Sequence, residues 1–237
     1  MTRLSVNINK VATIRNSRGE NTPNVVEAAI NCEKFGAEGI TVHPRPDERH
    51  IKRQDVYDLR PVLKTEFNIE GYPSDDFIDI VLQVKPHQVT LVPDGPDQIT
   101  SNEGWDTKMH LDFLKVVLNR FSEAGIRTSV FVDPHPEMVE YAAKAGADRV
   151  ELYTEPYAKG YAEDREKAIA PYVECANIAR SCGIGLNAGH DLSLENLNYL
   201  YKTIPWIDEV SIGHALISDA LYMGLEKTIQ EYKNCLR

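Results

Sequence analysis

The sequence predicts an α/β fold, a TIM (β/α)8 barrel with extra helices, on three observations. Short apolar, β-branched runs recur eight times along the chain, and each is followed by a segment with helical spacing. Strict βα alternation calls for a parallel sheet with helices outside it. Four junctions look alike: Phe35-Gly36-Ala37-Glu38, Ala124-Gly125-Ile126-Arg127, Ala145-Gly146-Ala147-Asp148 and Cys182-Gly183-Ile184-Gly185. Each puts a glycine where a helix stops and a strand begins. Finally, 237 residues without a Pro/Gly-rich linker or low-complexity tract suit one barrel domain spanning residues 1–237. A doubly wound open sheet is the alternative, but no GxGxxG follows the first strand, which counts against a dinucleotide-binding version.

In chain order, Leu4-Ser5-Val6-Asn7-Ile8-Asn9 alternates and reads as the first strand. The stretch 15–22 is polar around Gly19 and reads as a loop. Pro23 then opens a helix through Val25, Val26, Ala28, Ala29 and Ile30 that closes at Gly36. Strand two, Gly39 to His43, is stopped by Pro44 and Pro46, which cannot continue a sheet ladder. A helix over about 54–64 precedes strand three, Phe67 to Glu70. Ser74 caps a helix carrying Phe77, Ile80, Val81 and Val84. Strand four begins at Gln88 and ends on Pro93, and a polar loop follows from Asp94 to Trp105. Leu111, Leu114, Val117, Leu118 and Phe121 have helical spacing within a helix over about 107–124. Strand five runs from Thr128 to Asp133, a helix covers about 137–145, and strand six runs from Arg149 to Thr154. A helix over about 163–182 is expected to break or restart at Pro171. Strand seven, Gly185 to Ala188, leads into Gly189-His190, and Asp191 or Ser193 caps a helix to about Lys202. Strand eight runs from Glu209 to His214, and one last helix covers about 215–236.

Charge and composition exclude several functions. With 36 acidic against 26 basic side chains, the net charge of -10 disfavours nucleic acid or an anionic membrane as a partner, though a local anion site stays open. No apolar run is long enough to span a bilayer, and Met1 to Ser5 has no signal-peptide character. Cys32, Cys175, Cys182 and Cys235 lack a CxxC pattern and read as reduced thiols of a cytoplasmic protein.

In such a barrel the chemistry collects at the C-terminal strand ends. There the sequence places Asn7, Asn9 and Lys10, then His43, Glu70, Asp133, Glu151, His190 and His214. Histidines move protons near neutral pH, and a buried glutamate can join them. The glycine-bearing turns Asn187-Ala188-Gly189-His190 and Ser211-Ile212-Gly213-His214 follow strands seven and eight, the usual phosphate position in these barrels. Arg45 and His50 after strand two form a second cationic group, and Arg18 could serve either. Two anion sites suggest two phosphorylated substrates or one bisphosphate. HxH, HExxH and CxxC patterns are absent. A metal would therefore have to assemble from separate strands, with His43, Glu70, Glu151 and His190 as ligands of a hydrolase. A phosphometabolite-binding protein without catalysis is the third reading.

One family resemblance runs through these residues. Val6-Asn7-Ile8-Asn9, Thr13-Ile14-Arg15-Asn16-Ser17-Arg18-Gly19, Gly39 to His43, Arg45, Arg49-His50-Ile51, Asn68-Ile69-Glu70, Leu91-Val92-Pro93, Asn187 to His190 and Ile212 to Ala215 together resemble the pyridoxine 5'-phosphate synthase family. The resemblance implies a barrel with extra helices used for assembly, commonly into homo-octamers. It implies condensation of 1-deoxy-D-xylulose 5-phosphate with 3-amino-2-oxopropyl phosphate to pyridoxine 5'-phosphate, phosphate and water, without metal or organic cofactor. By the same resemblance His43 and Glu70 are proton acceptors, His190 is a proton donor and Glu151 stabilises charge in the transition state. Asn7, Arg18, Gly213 and His214 would hold the amino-ketone phosphate, and Arg45, His50 and Thr100 the sugar phosphate. Asn9-Lys10 stands where many members have Asp-His, and Asp191 where glycine is common. Asn9 and Lys10 would still face the sugar phosphate, and Asp191 would act through its backbone N–H or as a helix cap.

Overall fold

The computed structural model describes residues 1–94 and 103–237. Eight parallel strands close on themselves in sequence order. They are β1 (Arg3–Asn7), β2 (Gly39–Val42), β3 (Glu66–Gly71), β4 (Gln88–Leu91), β5 (Arg127–Val132), β6 (Arg149–Tyr153), β7 (Gly185–His190) and β8 (Glu209–Ile212). The helices are α1 (Asn9–Asn16), α2 (Val25–Lys34), α3 (Arg53–Leu59), α4 (Asp75–Val84), α5 (Leu111–Glu123), α6 (Pro136–Lys144), α7 (Glu155–Cys182), α8 (Leu197–Thr203), α9 (His214–Met223) and α10 (Leu225–Cys235). The β1–β8 ladder, with Ser5 opposite Ser211 and Val6 opposite Ile212, completes the ring.

Strands of a parallel sheet covered on both faces usually read as continuous apolar runs. Here they alternate. Leu4, Val6, Ile40, Val42, Phe67, Ile69, Val89, Leu91, Val130, Val150, Leu152, Val210 and Ile212 are buried in one cluster with the apolar faces of the helices. The intervening residues turn into the lumen and are mostly polar, with Phe131 and Tyr153 the aromatic exceptions. Ser5 Oγ lies 2.8 Å from Thr41 Oγ1. Thr90 Oγ1 donates to Asn68 Oδ1 at 3.1 Å, and Asn187 Nδ2 on β7 reaches across the barrel to Gln88 Oε1 on β4 at 3.4 Å. At the N-terminal end of the lumen Glu66 pairs with both Arg3 and Arg127. Buried polar groups need partners, and the lumen supplies many of them strand to strand, while Ser129 Oγ and the carboxyl oxygens of Glu151 and Glu209 have no hydrogen-bond partner among the described residues.

Several element boundaries differ from the sequence reading. β1 stops at Asn7 because the Asn7 side chain accepts the backbone N–H of Asn9 at 3.1 Å, turning the chain into α1. Residues 9–16 are therefore helical, and Arg15 is buried rather than part of a loop. The break within α7 falls at Asp164 (φ −154°, ψ 89°), not at Pro171. Asp164 Oδ1 accepts the N–H of Lys167 and caps the restarted helix, which then runs through Pro171. α8 starts at Leu197, later than a cap at Asp191 or Ser193 would put it. Asn196 bonds to Ser193 N and Asp191 O and folds the intervening turn. The last helix is two helices, since Gly224 at φ 80°, ψ 147° cannot be helical.

Candidate active site

The C-terminal mouth of the barrel brings together Asn7, Asn9, His43, Arg45, Glu70, Glu151 and His190, with Asp94 and His50 beside them. Asn9 Oδ1 accepts the backbone N–H of His43 at 2.9 Å, so the Asn9 side chain anchors the end of β2. Asn7 Nδ2 approaches Glu70 Oε2 at 3.4 Å. Glu70 is buried at the end of β3, and its carboxyl is pushed up to about 8, first by burial and then by the charges of Asp94 and Glu209, with Arg45 opposing. Glu151 on β6 is raised well above the carboxylate range by burial, with Glu70 adding to it. Neither of its oxygens has a hydrogen-bond partner among the described residues.

His190 closes β7 at φ 87°, a left-handed conformation uncommon outside glycine. That turn sets its ring 4.8 Å from Phe131 and edge-on to Tyr153 at 5.9 Å. Phe131 and Tyr153 pack with Val92 as a small apolar cluster of their own. His190 Nδ1 lies 3.9 Å from Glu151 Oε1, too far for a hydrogen bond. Burial pushes His190 down to about 4, Asp94 opposing and Arg45 adding to the depression. His43 is lowered well below the ordinary histidine range by burial, by Arg45 and by its histidine neighbours. Burial thus favours the neutral forms of His43, His190 and Glu151 in the free site.

The cationic group after β2 is built by α1. Arg15 forks onto Asp55 at 2.5 and 2.9 Å and donates to His50 O at 3.1 Å. Asn16 donates to the same carbonyl at 2.7 Å. His50 Nδ1 accepts the N–H of Ile51 at 2.9 Å, which leaves the ring's proton on Nε2. Burial, Arg45 and Lys10 push His50 down to about 4. Arg45 itself is buried and pairs with Asp94 at 2.5 Å. A cavity of about 250 Å³ opens beside this pair, with His43, Tyr72 and Phe77 on its other walls.

The remaining expected residues are placed less centrally. Lys10 is exposed on α1. Arg18 sits in an exposed turn after α1, and its side chain makes no ion pair or hydrogen bond among the described residues. Asp191 is exposed, and its backbone N–H is spent on Thr154 Oγ1 at 3.2 Å. Thr100 lies outside the described residues. Gly213 caps the start of α9, where His214 is the first helical residue, so the open N–H groups of that first turn stand beside Asn7. Gly189 is not in a turn as its sequence suggested. It lies within β7, and its bare Cα makes room for Glu151. Asp133, also at the rim, accepts the N–H of Gly104 at 3.2 Å and so has a structural partner.

Sequence reasoning missed Asp94, Arg15 and the Phe131–Tyr153 cradle. The signal for the cradle was present, because Phe131 and Tyr153 occupy lumen positions in the same alternation as Glu151. Among the described residues no group of three or more His, Cys, Asp or Glu side chains has the geometry to hold a metal ion.

The model of the family described as pyridoxal phosphate biosynthesis protein PdxJ matches residues 4–237. The chain is 77% identical over 237 residues to pyridoxine 5'-phosphate synthase of Bacteroides thetaiotaomicron, covering 100% of both. It is 57% identical over 236 residues to the enzyme of the same name from Porphyromonas gingivalis, covering 100% of this chain and 99% of that one. Among solved structures it resembles tryptophan synthase from M. tuberculosis (TM-score 0.67, 13% identity, 100% and 94% coverage). It also resembles phosphoribosyl anthranilate isomerase from Thermotoga maritima (TM-score 0.64, 15% identity, 100% and 98% coverage). These two structural likenesses show the barrel fold alone.

Proposed function

The chain belongs to the PdxJ family of pyridoxal phosphate biosynthesis proteins, and from that premise we propose which of its residues carry the reaction and how. It is an enzyme of vitamin B6 biosynthesis that condenses 1-deoxy-D-xylulose 5-phosphate with 3-amino-2-oxopropyl phosphate to pyridoxine 5'-phosphate, phosphate and water. Its substrates are phosphorylated small molecules.

The reaction joins an amine to a ketone with loss of water, then proceeds by enamine formation, loss of phosphate, ring closure and further dehydration. Each step moves a proton, so several acid/base groups must face one cavity. Glu70 is our proton acceptor for the attacking ammonium group: a carboxyl lifted to about 8 is basic enough to take that proton once ionised, and its ionised fraction grows as pH rises toward 8. His43, held neutral, is the second acceptor. Glu151 and His190 form the donor pair: in the free site the proton rests on Glu151, 3.9 Å from His190. As the departing oxygen gains negative charge it takes a proton from His190, which is resupplied from Glu151. Glu151, left as a carboxylate, then stabilises positive charge on the imine.

The sugar phosphate is assigned to Arg45 and His50, with Asn9, Lys10 and Thr100 toward it. The amino-ketone phosphate is assigned to Asn7, Arg18 and the Gly213-His214 helix start, while Asp191, its N–H held by Thr154, contributes only to the turn beside His190. Support for the second site comes from α9, whose first N–H groups and positive dipole end begin at the mouth. We further place the enzyme in the cytoplasm as a single-domain barrel and a homo-oligomer of eight subunits. No helix among the described residues is long and apolar enough to cross a membrane. Met109, Phe113, Val116, Leu221 and Tyr222 are exposed apolar side chains that assembly would cover.

The observation that carries the proposal is Glu70, buried and high in pKa, facing Glu151 and His190 across one mouth. The test is product formation from both substrates with a chelator present, in the parent and in Glu151→Gln. Pyridoxine phosphate from the parent, with turnover reduced about 10²–10⁴-fold in the variant and substrate binding kept, supports the assignment. Parent-like turnover in the variant overturns the role of Glu151.

A further inference from the structure

Asp94 has no part in the assignments above, yet it occupies the most consequential position beside them. It follows β4, while Arg45 follows β2, and the two side chains meet at 2.5 Å across the end of β3, where Glu70 lies. Both are buried, with side chains 2% and 5% exposed. A guanidinium in such a place must be neutralised, because an uncompensated buried charge is strongly unfavourable. A carboxylate is also the side-chain group closest to phosphate in how it meets a guanidinium fork.

A phosphate dianion arriving on Arg45 meets Asp94 at the same donors. Two anions held against one guanidinium in a water-poor mouth repel each other strongly. The substrate phosphate and the Asp94 carboxylate therefore compete for Arg45. We propose that Asp94 is a stand-in for the substrate phosphate: it holds the Arg45 guanidinium in the mouth of the free enzyme and yields it when the sugar phosphate binds. Asp94 is then a positioning residue that acts through Arg45. This rests on the assignment of Arg45 to the sugar phosphate. It also gives a reason for the charge balance around Glu70. The exchange brings a phosphate to the Arg45 donors that Asp94 gives up, so the negative charge that adds to burial in raising that carboxyl's pKa persists through binding.

The experiment is calorimetric titration of 1-deoxy-D-xylulose 5-phosphate into the parent, Asp94→Asn, Asp94→Glu, Arg45→Ala and the Arg45→Ala/Asp94→Asn double variant. Asparagine keeps the shape of Asp94 and removes the competing charge, so Asp94→Asn binds the sugar phosphate about tenfold more tightly or better. Asp94→Glu, which keeps the carboxylate, stays near the parent. Arg45→Ala loses at least tenfold, and adding Asp94→Asn to it gains less than Asp94→Asn alone, because the competition runs through Arg45. If Asp94→Asn is too unstable for calorimetry, its thermal midpoint is read instead. The sugar phosphate must then raise it by more than it raises that of the parent. Asp94→Asn binding equal to or weaker than the parent, with Arg45→Ala weakened, overturns the stand-in role and leaves Asp94 as a structural anchor. Parent-like affinity in Arg45→Ala overturns the Arg45 assignment and the proposal with it.

Discussion

Gly189 carries no side chain at the point where the Glu151 carboxylate sits: a Cβ built on it would lie 2.3 Å from Glu151 Oε1. The two residues are neighbours across the β6–β7 ladder, where Tyr153 pairs with Gly189 and Glu151 with Asn187. The glycine is therefore a packing condition for a site residue, whatever else it allows.

Gly189→Ala is expected to push Glu151 off its position beside His190. Overpacking of this kind costs about 1–3 kcal/mol of stability. Turnover should fall by more than substrate affinity, because the displaced carboxylate acts on the chemistry. Steady-state kinetics beside a thermal melt checks this, and an unchanged kcat would refute it.

Glu70 gives a pH dependence with a definite sign. Its carboxyl is raised to about 8 in the folded chain, against an ordinary value near 4 when unfolded, about 4.3 in model peptides. Between these values the native state holds the extra proton. The stabilisation this brings is complete below the ordinary value and is lost as pH rises through about 8. Thermal midpoints of the parent should therefore fall from mildly acidic pH to about pH 8 more steeply than those of Glu70→Gln. Equal slopes would count against the raised carboxyl.

Arg15, absent from the expected site, holds the carbonyl of His50 and is paired with Asp55 in a buried fork. Arg15→Met leaves the Asp55 carboxylate without its cation, held only by the Lys52 N–H, and should cost about 3–5 kcal/mol. The same change should raise KM for the sugar phosphate more than it lowers kcat, since only the carrier of His50 is loosened. A variant equally destabilised but with unchanged KM would separate Arg15 from the site.

His190 is held at φ 87°, a conformation that asparagine tolerates better than most residues. His190→Asn should keep the fold and lose turnover about 10²–10⁴-fold, the ordinary contribution of a proton-transfer group. His190→Val should lose the fold's stability as well, because a β-branched side chain suits that conformation poorly. Circular dichroism melts and turnover assays on the pair distinguish the two effects.

Much of this was legible in the chain. The barrel was readable because apolar alternation recurs eight times and α2, α5, α6 and α7 each give way to the next strand at Gly36, Gly125, Gly146 and Gly183. His43, Glu70, Glu151 and His190 were readable because all four occupy strand ends or lumen-facing positions. α1 was hidden because its buried face includes Arg15, so polarity masked the helical period. The break at Gly224 was hidden inside a run that is helical on both sides. Asp94 could not be distinguished from other loop carboxylates, since its importance lies in a pairing with a residue 49 positions earlier. No local pattern carries such a contact. The role of Gly189 was likewise misread, because glycine before a histidine looks like a turn until the neighbouring strand is seen.

The most direct test of the account is the turnover of the two phosphorylated substrates by Glu70→Gln, with binding of each measured on the same protein. The account predicts parent-like affinity for both substrates and a fall in pyridoxine phosphate formation of about 10²–10⁴-fold. Turnover within a few-fold of the parent, from a folded variant, would mean that Glu70 takes no proton in the reaction and that the site is organised around a different base.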